Sequence, residues 1–158
     1  MDFQRIGKYI SFSEATKSQT AIREGIENFP NDQEFAKMQL LDKMVFTPLR
    51  EWHGKPIGIS SFFRCLELNR AIKSDDNSQH VKGEAMDIDA DIYQNGITNS
   101  DIYNYILENL DFDQLIAEGI NIDGTFGWVH VSYRNTAENR RQKLRIVFKN
   151  GRKIVSVL

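Results

Sequence analysis

Residues 78–87 read Ser78-Gln79-His80-Val81-Lys82-Gly83-Glu84-Ala85-Met86-Asp87, and a second stretch, Trp128-Val129-His130, completes them. The chain holds three histidines, and two of them fall in these stretches. His80 follows a polar turn from Ser74 to Gln79, and Gly83 then opens backbone conformations that other residues avoid. From Ala85 the chain alternates: Met86, Ile88 and Ala90 share one face, Asp87, Asp89 and Asp91 the other. This period of two predicts a strand over 85–91 whose carboxylates share a side. His130 sits in a second alternating run, Trp128 to Tyr133. Two imidazoles and one carboxylate from separate strands make three ligands and leave a fourth tetrahedral position for water, the arrangement of a catalytic zinc. The residue types alone leave two choices open. The histidines could be hydrogen-bonded structural residues beside a wet strand face, and any of the three aspartates could be the ligand.

Ser-x-His-x-x-Gly-x-Ala-x-Asp followed by Trp-x-His resembles the signature of the zinc D-alanyl-D-alanine carboxypeptidases and dipeptidases. That family includes small phage endolysins and shares its fold with the hedgehog signalling domain. Here the positions are Ser78, His80, Gly83, Ala85, Asp87 and His130. Ser60-Ser61-Phe62-Phe63-Arg64 with Leu68-Asn69 is similar to the family's Ser-Gly-Tyr-Arg and Leu-Asn segment. Asp113 to Glu118 resembles the strand beside the second histidine in its small phage-type members. The likeness covers Phe12 to Tyr133. It implies a hedgehog/D,D-peptidase-like α+β fold and one Zn²⁺ held by His80, Asp87 and His130. It also implies hydrolysis of a peptide bond next to D-alanine in bacterial peptidoglycan, by a carboxypeptidase or endopeptidase, with an endolysin-like, cell-wall-degrading role.

At 158 residues the chain has the length of one domain, expected to span 1–158, with 41% hydrophobic residues to build a core. A single cysteine, Cys65, excludes an internal disulfide and suits a reducing compartment. Met1 to Lys8 is polar and no stretch reaches the roughly 18 apolar residues of a membrane span. The expectation is a monomer made in the cytoplasm without membrane insertion, acting on the cell wall if it serves phage lysis. The net charge of −2 is asymmetric: Arg134–Leu158 carries eight basic residues against Glu138, a local +7, and the remainder −9. Nothing resembles a nucleic-acid motif, and the acidic part would repel phosphate; the basic tail is expected to be a solvated face that attracts an anionic wall.

In chain order, Ser11-x-x-Glu14 predicts a capped helix from Phe12 to Gly25, and Asn31-x-x-Glu34 caps a second that Pro48 should kink or divide. A short strand at Ile57–Ser60 leads to Arg64 at the start of a helix through Ile72. Thr98-x-x-Asp101 caps a helix to Leu110. Phe112–Glu118 and Phe126–Tyr133 read as strands, and Leu144–Phe148 and Ile154–Val157 flank Asn150-Gly151, a strong hairpin signal. These elements give a mostly antiparallel sheet with helices packed on it.

Peptide hydrolysis at such a site needs a base for the water and positive charge near the oxyanion. Arg64 matches the family's essential arginine and is the expected cation. Dipeptidase members carry a glutamate three residues before the second histidine; here that position is Gly127, which cannot act. Glu118 is the expected substitute and Asp123 the second choice. A two-residue turn at Asp123-Gly124 would point Glu118 away from His130, so Glu118 requires a bulge or a longer loop. Gly127 also supports a competing reading, a zinc-bearing binding module without activity. His53 and Cys65 are expected to be structural, and Ser78 to hold the His80 loop through its hydroxyl.

Overall fold

Alternating sequence becomes extended backbone at six places. The strands are β1 (Gly58–Ser61), β2 (Ala85–Asp89), β3 (Gln114–Ile120), β4 (Phe126–Ser132), β5 (Gln142–Lys149) and β6 (Arg152–Val157). They form one sheet in the order β1-β2-β4-β3-β5-β6, with β3 and β5 parallel and the other neighbours antiparallel. The structure is a computed structural model that describes residues 5–158; residues 1–4, the start of the polar segment expected to hold no leader, lie outside it. The helices are α1 (Phe12–Thr16), α2 (Gln19–Glu24), α3 (Asp32–Leu41), α4 (Thr47–His53), α5 (Leu66–Ala71) and α6 (Asn99–Asn109). The fold is α+β, as expected. No helix among the described residues is long and apolar enough to cross a membrane.

Period two sorts the sheet into two faces. Met86, Ile88, Leu115, Ala117, Val129 and Val131 point to the helices and share one core with Met38, Leu41, Leu49, Ile102 and Ile106. On the opposite face, cross-strand pairing aligns Asp87 with His130, His130 with Ile116, and Trp128 with Glu118. The core thus fixes the register, because a slip of one residue would expose the apolar set and bury the polar one.

Several boundaries depart from the sequence reading. The helix expected over 12–25 is two, because Lys17 is extended and Ser18 starts α2 with its own cap, accepting from Ala21 N at 3.2 Å. Pro48 does not break its helix. It sits in the first turn of α4, where no donor is needed, and a five-residue π-helical turn (Asp42–Phe46) before it gives the ring room. β2 stops at Asp89, whose carboxylate accepts from Asp91 N at 2.9 Å and caps a 3₁₀ turn over Ala90–Ile92. α5 begins after its N-cap Cys65, so Arg64 lies in the connection before the helix. The Asn150-Gly151 turn is as predicted: both residues have positive φ, and Lys149 pairs with Arg152.

The β3–β4 connection decides the site. Asn121 N donates to Thr125 O at 2.8 Å, and Gly124 has φ +86°, so the loop has three residues rather than two. Odd length shifts the pairing by one and sets Glu118 opposite Trp128. The pairing keeps a constant register through Gly119, so the longer loop, not a bulge there, turns Glu118 towards His130. Gly119 still matters: its φ is +69°, and a Cβ would lie 3.2 Å from the Trp128 ring.

Gly83 closes the motif against α3. Its φ is +72°, and a Cβ would stand 2.5 Å from the carbonyl oxygen of Glu34. Left-handed strain and a backbone clash add, so Gly83→Ala is expected to cost about 2 kcal/mol or more of stability. Urea denaturation followed by circular dichroism measures this; an unchanged midpoint would mean that α3 yields freely.

Candidate metal centre

β2 and β4 bring Asp87 and His130 into direct cross-strand register, and the loop from Lys73 to Glu84 folds His80 over them. His80 Nε2 lies 3.3 Å and His130 Nδ1 2.9 Å from the same Asp87 oxygen. The two rings meet edge to face with centroids 5.1 Å apart. One ligand atom from each residue falls within 4.8 Å of the others. Ligands about 2.0–2.1 Å from a tetrahedral zinc stand roughly 3.3 Å from each other, and the two distances to Asp87 match that spacing.

The ring of His80 is fixed from behind. Its Nδ1 donates to Phe62 O at 2.7 Å, which leaves Nε2 as the acceptor facing Asp87. Arg64 N donates back to His80 O at 3.4 Å, clamping the Phe62–Arg64 segment to the loop. Upstream, the β1–β2 register shifts between Ile59 and Ser61, an irregularity of the kind that bends a strand. Buried Asn28 secures the same segment through Phe63 O and Cys65 N.

The electrostatics follow from burial and convergence. Burial pulls the His80 imidazole below its ordinary pKa, against the raising effect of Asp87. Burial would raise the Asp87 carboxyl, but the His80 and His130 imidazoles overcome this and hold it well below the carboxylate range. The site therefore offers a neutral imidazole and an ionised carboxylate, the protonation states that ligate a cation.

The centre lies in an open cleft of about 830 Å³ whose walls include Arg64, Glu118, Trp128, Phe148 and Lys153. Burial, with the nearby charge of Asp87, raises the Glu118 carboxyl, while His130 lowers it. Burial lowers the Arg64 guanidinium against the attraction of Asp87 and Glu118. Arg64 Nε is buried without a hydrogen-bond partner among the described residues.

Other candidates fall outside. The Asp123 carboxylate is spent on its own loop, accepting from Thr125 N and Oγ1 at 3.0 and 2.6 Å. Asp89 serves the cap described above, and Asp91 is exposed beyond the strand. Of the three aspartates that periodicity grouped together, Asp87 alone joins the histidines. Ser78 holds its loop through backbone bonds to Asp75 and Val81, and its hydroxyl makes no hydrogen bond among the described residues. His53 bonds Asn95, and Cys65 caps α5.

The peptidase M15 family model matches residues 8–132. The chain belongs to the peptidase M15 family. M15 enzymes are zinc-dependent peptidases, and the His80–Asp87–His130 set fits that metal. A comparison with curated proteins gives no match. β5 and β6 lie beyond the matched residues, and Phe148 and Lys153 wall the cleft.

Sequence reasoning missed the support beneath the loop. Asp113 is fully buried and accepts from Gln79 Nε2 at 2.9 Å, from Arg140 N and Nε at 3.0 and 2.9 Å, and from Arg140 Nη2 at 2.6 Å. It thereby ties the residue before His80 to the start of β5. Only its place in the Asp113–Glu118 likeness signalled it. Burial would raise the Asp113 carboxyl, but the Arg140 and Gln79 bonds hold it below its ordinary value of 3.8. A depressed folded-state pKa stabilises the fold above the unfolded value, and that stability is lost as pH falls through the folded one. Asp113→Asn is therefore expected to cost about 1–3 kcal/mol at pH 7, with the gap to wild type closing as the pH is taken from 4 towards 2. Urea midpoints across that range measure it, and a gap independent of pH would exclude the ionic cause.

Proposed function

We propose that this peptidase hydrolyses a peptide bond next to D-alanine in bacterial peptidoglycan stem peptides or cross-links. The observation that carries the reading is that Glu118 shares a cleft and a sheet face with His80, Asp87 and His130. Zinc held by those three residues supplies the Lewis acid that makes a water acidic near neutrality and polarises the scissile carbonyl.

The chain's own groups do the rest. Glu118, raised by burial, is suited to take a proton from the attacking water and to deliver one to the leaving amine. Arg64, on the cleft wall with its Nε lacking a hydrogen-bond partner among the described residues, is suited to the developing oxyanion or to a substrate carboxylate. With His80 and His130 assigned to the metal, neither serves as the base. Gly127 removes the glutamate of the dipeptidase pattern, and Glu118 of the neighbouring strand supplies the lost carboxylate from the same face. That substitution favours an enzyme over a zinc-bearing binding module.

Glu118→Gln should retain zinc and slow cleavage by about 10²–10⁴-fold. Mass spectrometry of digested muropeptides with metal analysis of the same samples measures both. Undiminished cleavage would assign the base elsewhere. A zinc-loaded wild type that leaves D-alanyl peptides intact would favour the binding module.

A further inference from the structure

The cleft extends well past the metal centre. Cross-strand pairing carries the site face from His130 through Ile116 and Glu118 to Ile146, Phe148 and Lys153 on the terminal hairpin. Ile116, Leu144 and Ile146 form a small buried cluster on this face, separate from the main core, and it seats the hairpin against β3. Trp128 and Phe148 lie with ring centroids 6.3 Å apart and make an apolar floor. Gly119 keeps that floor in place, since a side chain there would press on the Trp128 ring.

Lys153 stands at the end of this floor, paired with Phe148. It is exposed and forms no hydrogen bond or ion pair among the described residues, yet it lines the cleft. The other cations of the wall differ: Arg140 is committed to Asp113, Arg64 lies beside the metal ligands, and Lys73 opens the His80 loop instead of standing on the hairpin. Neighbouring strands are about 4.8 Å apart, so three strand spacings separate the β4 and β6 backbones by roughly 14 Å. The lysine side chain reaches back over part of that gap. An extended peptide covers about 3.3–3.6 Å per residue. A group two or three residues from the scissile bond would therefore come within reach of the Lys153 ammonium.

We propose that Lys153, above the Trp128–Phe148 floor, is a subsite for a substrate carboxylate two or three residues from the bond that is cut. The inference rests on the peptidase reading of the cleft and adds a preference for acidic peptides. Its physical basis is a cation that forms no hydrogen bond or ion pair among the described residues and feels Glu118 only as a neighbouring charge. It stands at the end of an apolar floor, where an ammonium–carboxylate hydrogen bond is stronger than a neutral one. It also gives β5–β6, which lies outside the matched family residues, a role in choosing substrate.

The test compares L-Ala-γ-D-Glu-L-Lys-D-Ala-D-Ala with the same peptide amidated at the glutamate α-carboxylate. Calorimetric titration uses the zinc-loaded chain in a Glu118→Gln background so that neither peptide is consumed. The free acid is expected to bind about tenfold more tightly than the amide. Lys153→Met should bring the ratio to within about twofold, Lys153→Glu should invert it, and Lys153→Arg should restore it. Equal binding of the two peptides by the parent, or a preference that survives Lys153→Met, would overturn the proposal. Cleavage by chains with Glu118 intact is followed separately. Binding with the predicted ratio but no hydrolysis would remove the peptidase reading and keep the subsite, while hydrolysis without the ratio would do the reverse.

Discussion

Everything at the site depends on the pairing of Asp87 with His130 across β2 and β4. Two potential ligands that face each other across an antiparallel pair are held by the backbone ladder and need no long side chain to reach. The same pairing sets Met86 against Val131 and Ile88 against Val129 on the opposite face, inside the core. The apolar face therefore pins the register, and the register pins the ligands. His80 comes from a loop and needs separate fixing. Phe62 O holds its ring, Gly83 lets the loop press on α3, and Asp113 anchors Gln79 beside it.

The parity of one loop gives the site its carboxylate. A two-residue turn between β3 and β4 would have placed Ala117 opposite His130 and turned Glu118 into the helices. The three-residue loop, closed by Gly124 at positive φ, sets Ile116 there instead and brings Glu118 to the metal face. The carboxylate thus reaches this face from β3, where β4 has Gly127. This asks only that the two strands keep their phase.

Much of this was legible in the sequence, and the exceptions share a cause. Period two exposed β2 and β4, capping boxes exposed α3 and α6, and Asn150-Gly151 exposed the last hairpin, because each is a local signal. Periodicity grouped Asp87, Asp89 and Asp91 but could not separate them; that took the cross-strand position of His130 and the 3₁₀ turn that removes Asp91. The division of 12–25 into two helices came from Ser18 competing with the helix it interrupts. Tolerance of Pro48 came from a π-helical turn that no propensity announces. The anchoring by Asp113 and the place of Lys153 on the cleft wall were hidden for the same reason: both follow from the parallel pairing of β5 with β3, which joins residues about 28 positions apart.

The central claim is that His80, Asp87 and His130 act together as one zinc site. Competition between the purified chain and a chromogenic chelator, at neutral pH, tests it most directly. One zinc per chain is expected, with affinity falling by orders of magnitude in Asp87→Ala and His130→Ala while their circular dichroism spectra stay native. Binding should also weaken in acid, because ligation requires unprotonated donors. Substoichiometric zinc in the parent, or affinity indifferent to either substitution, would contradict it.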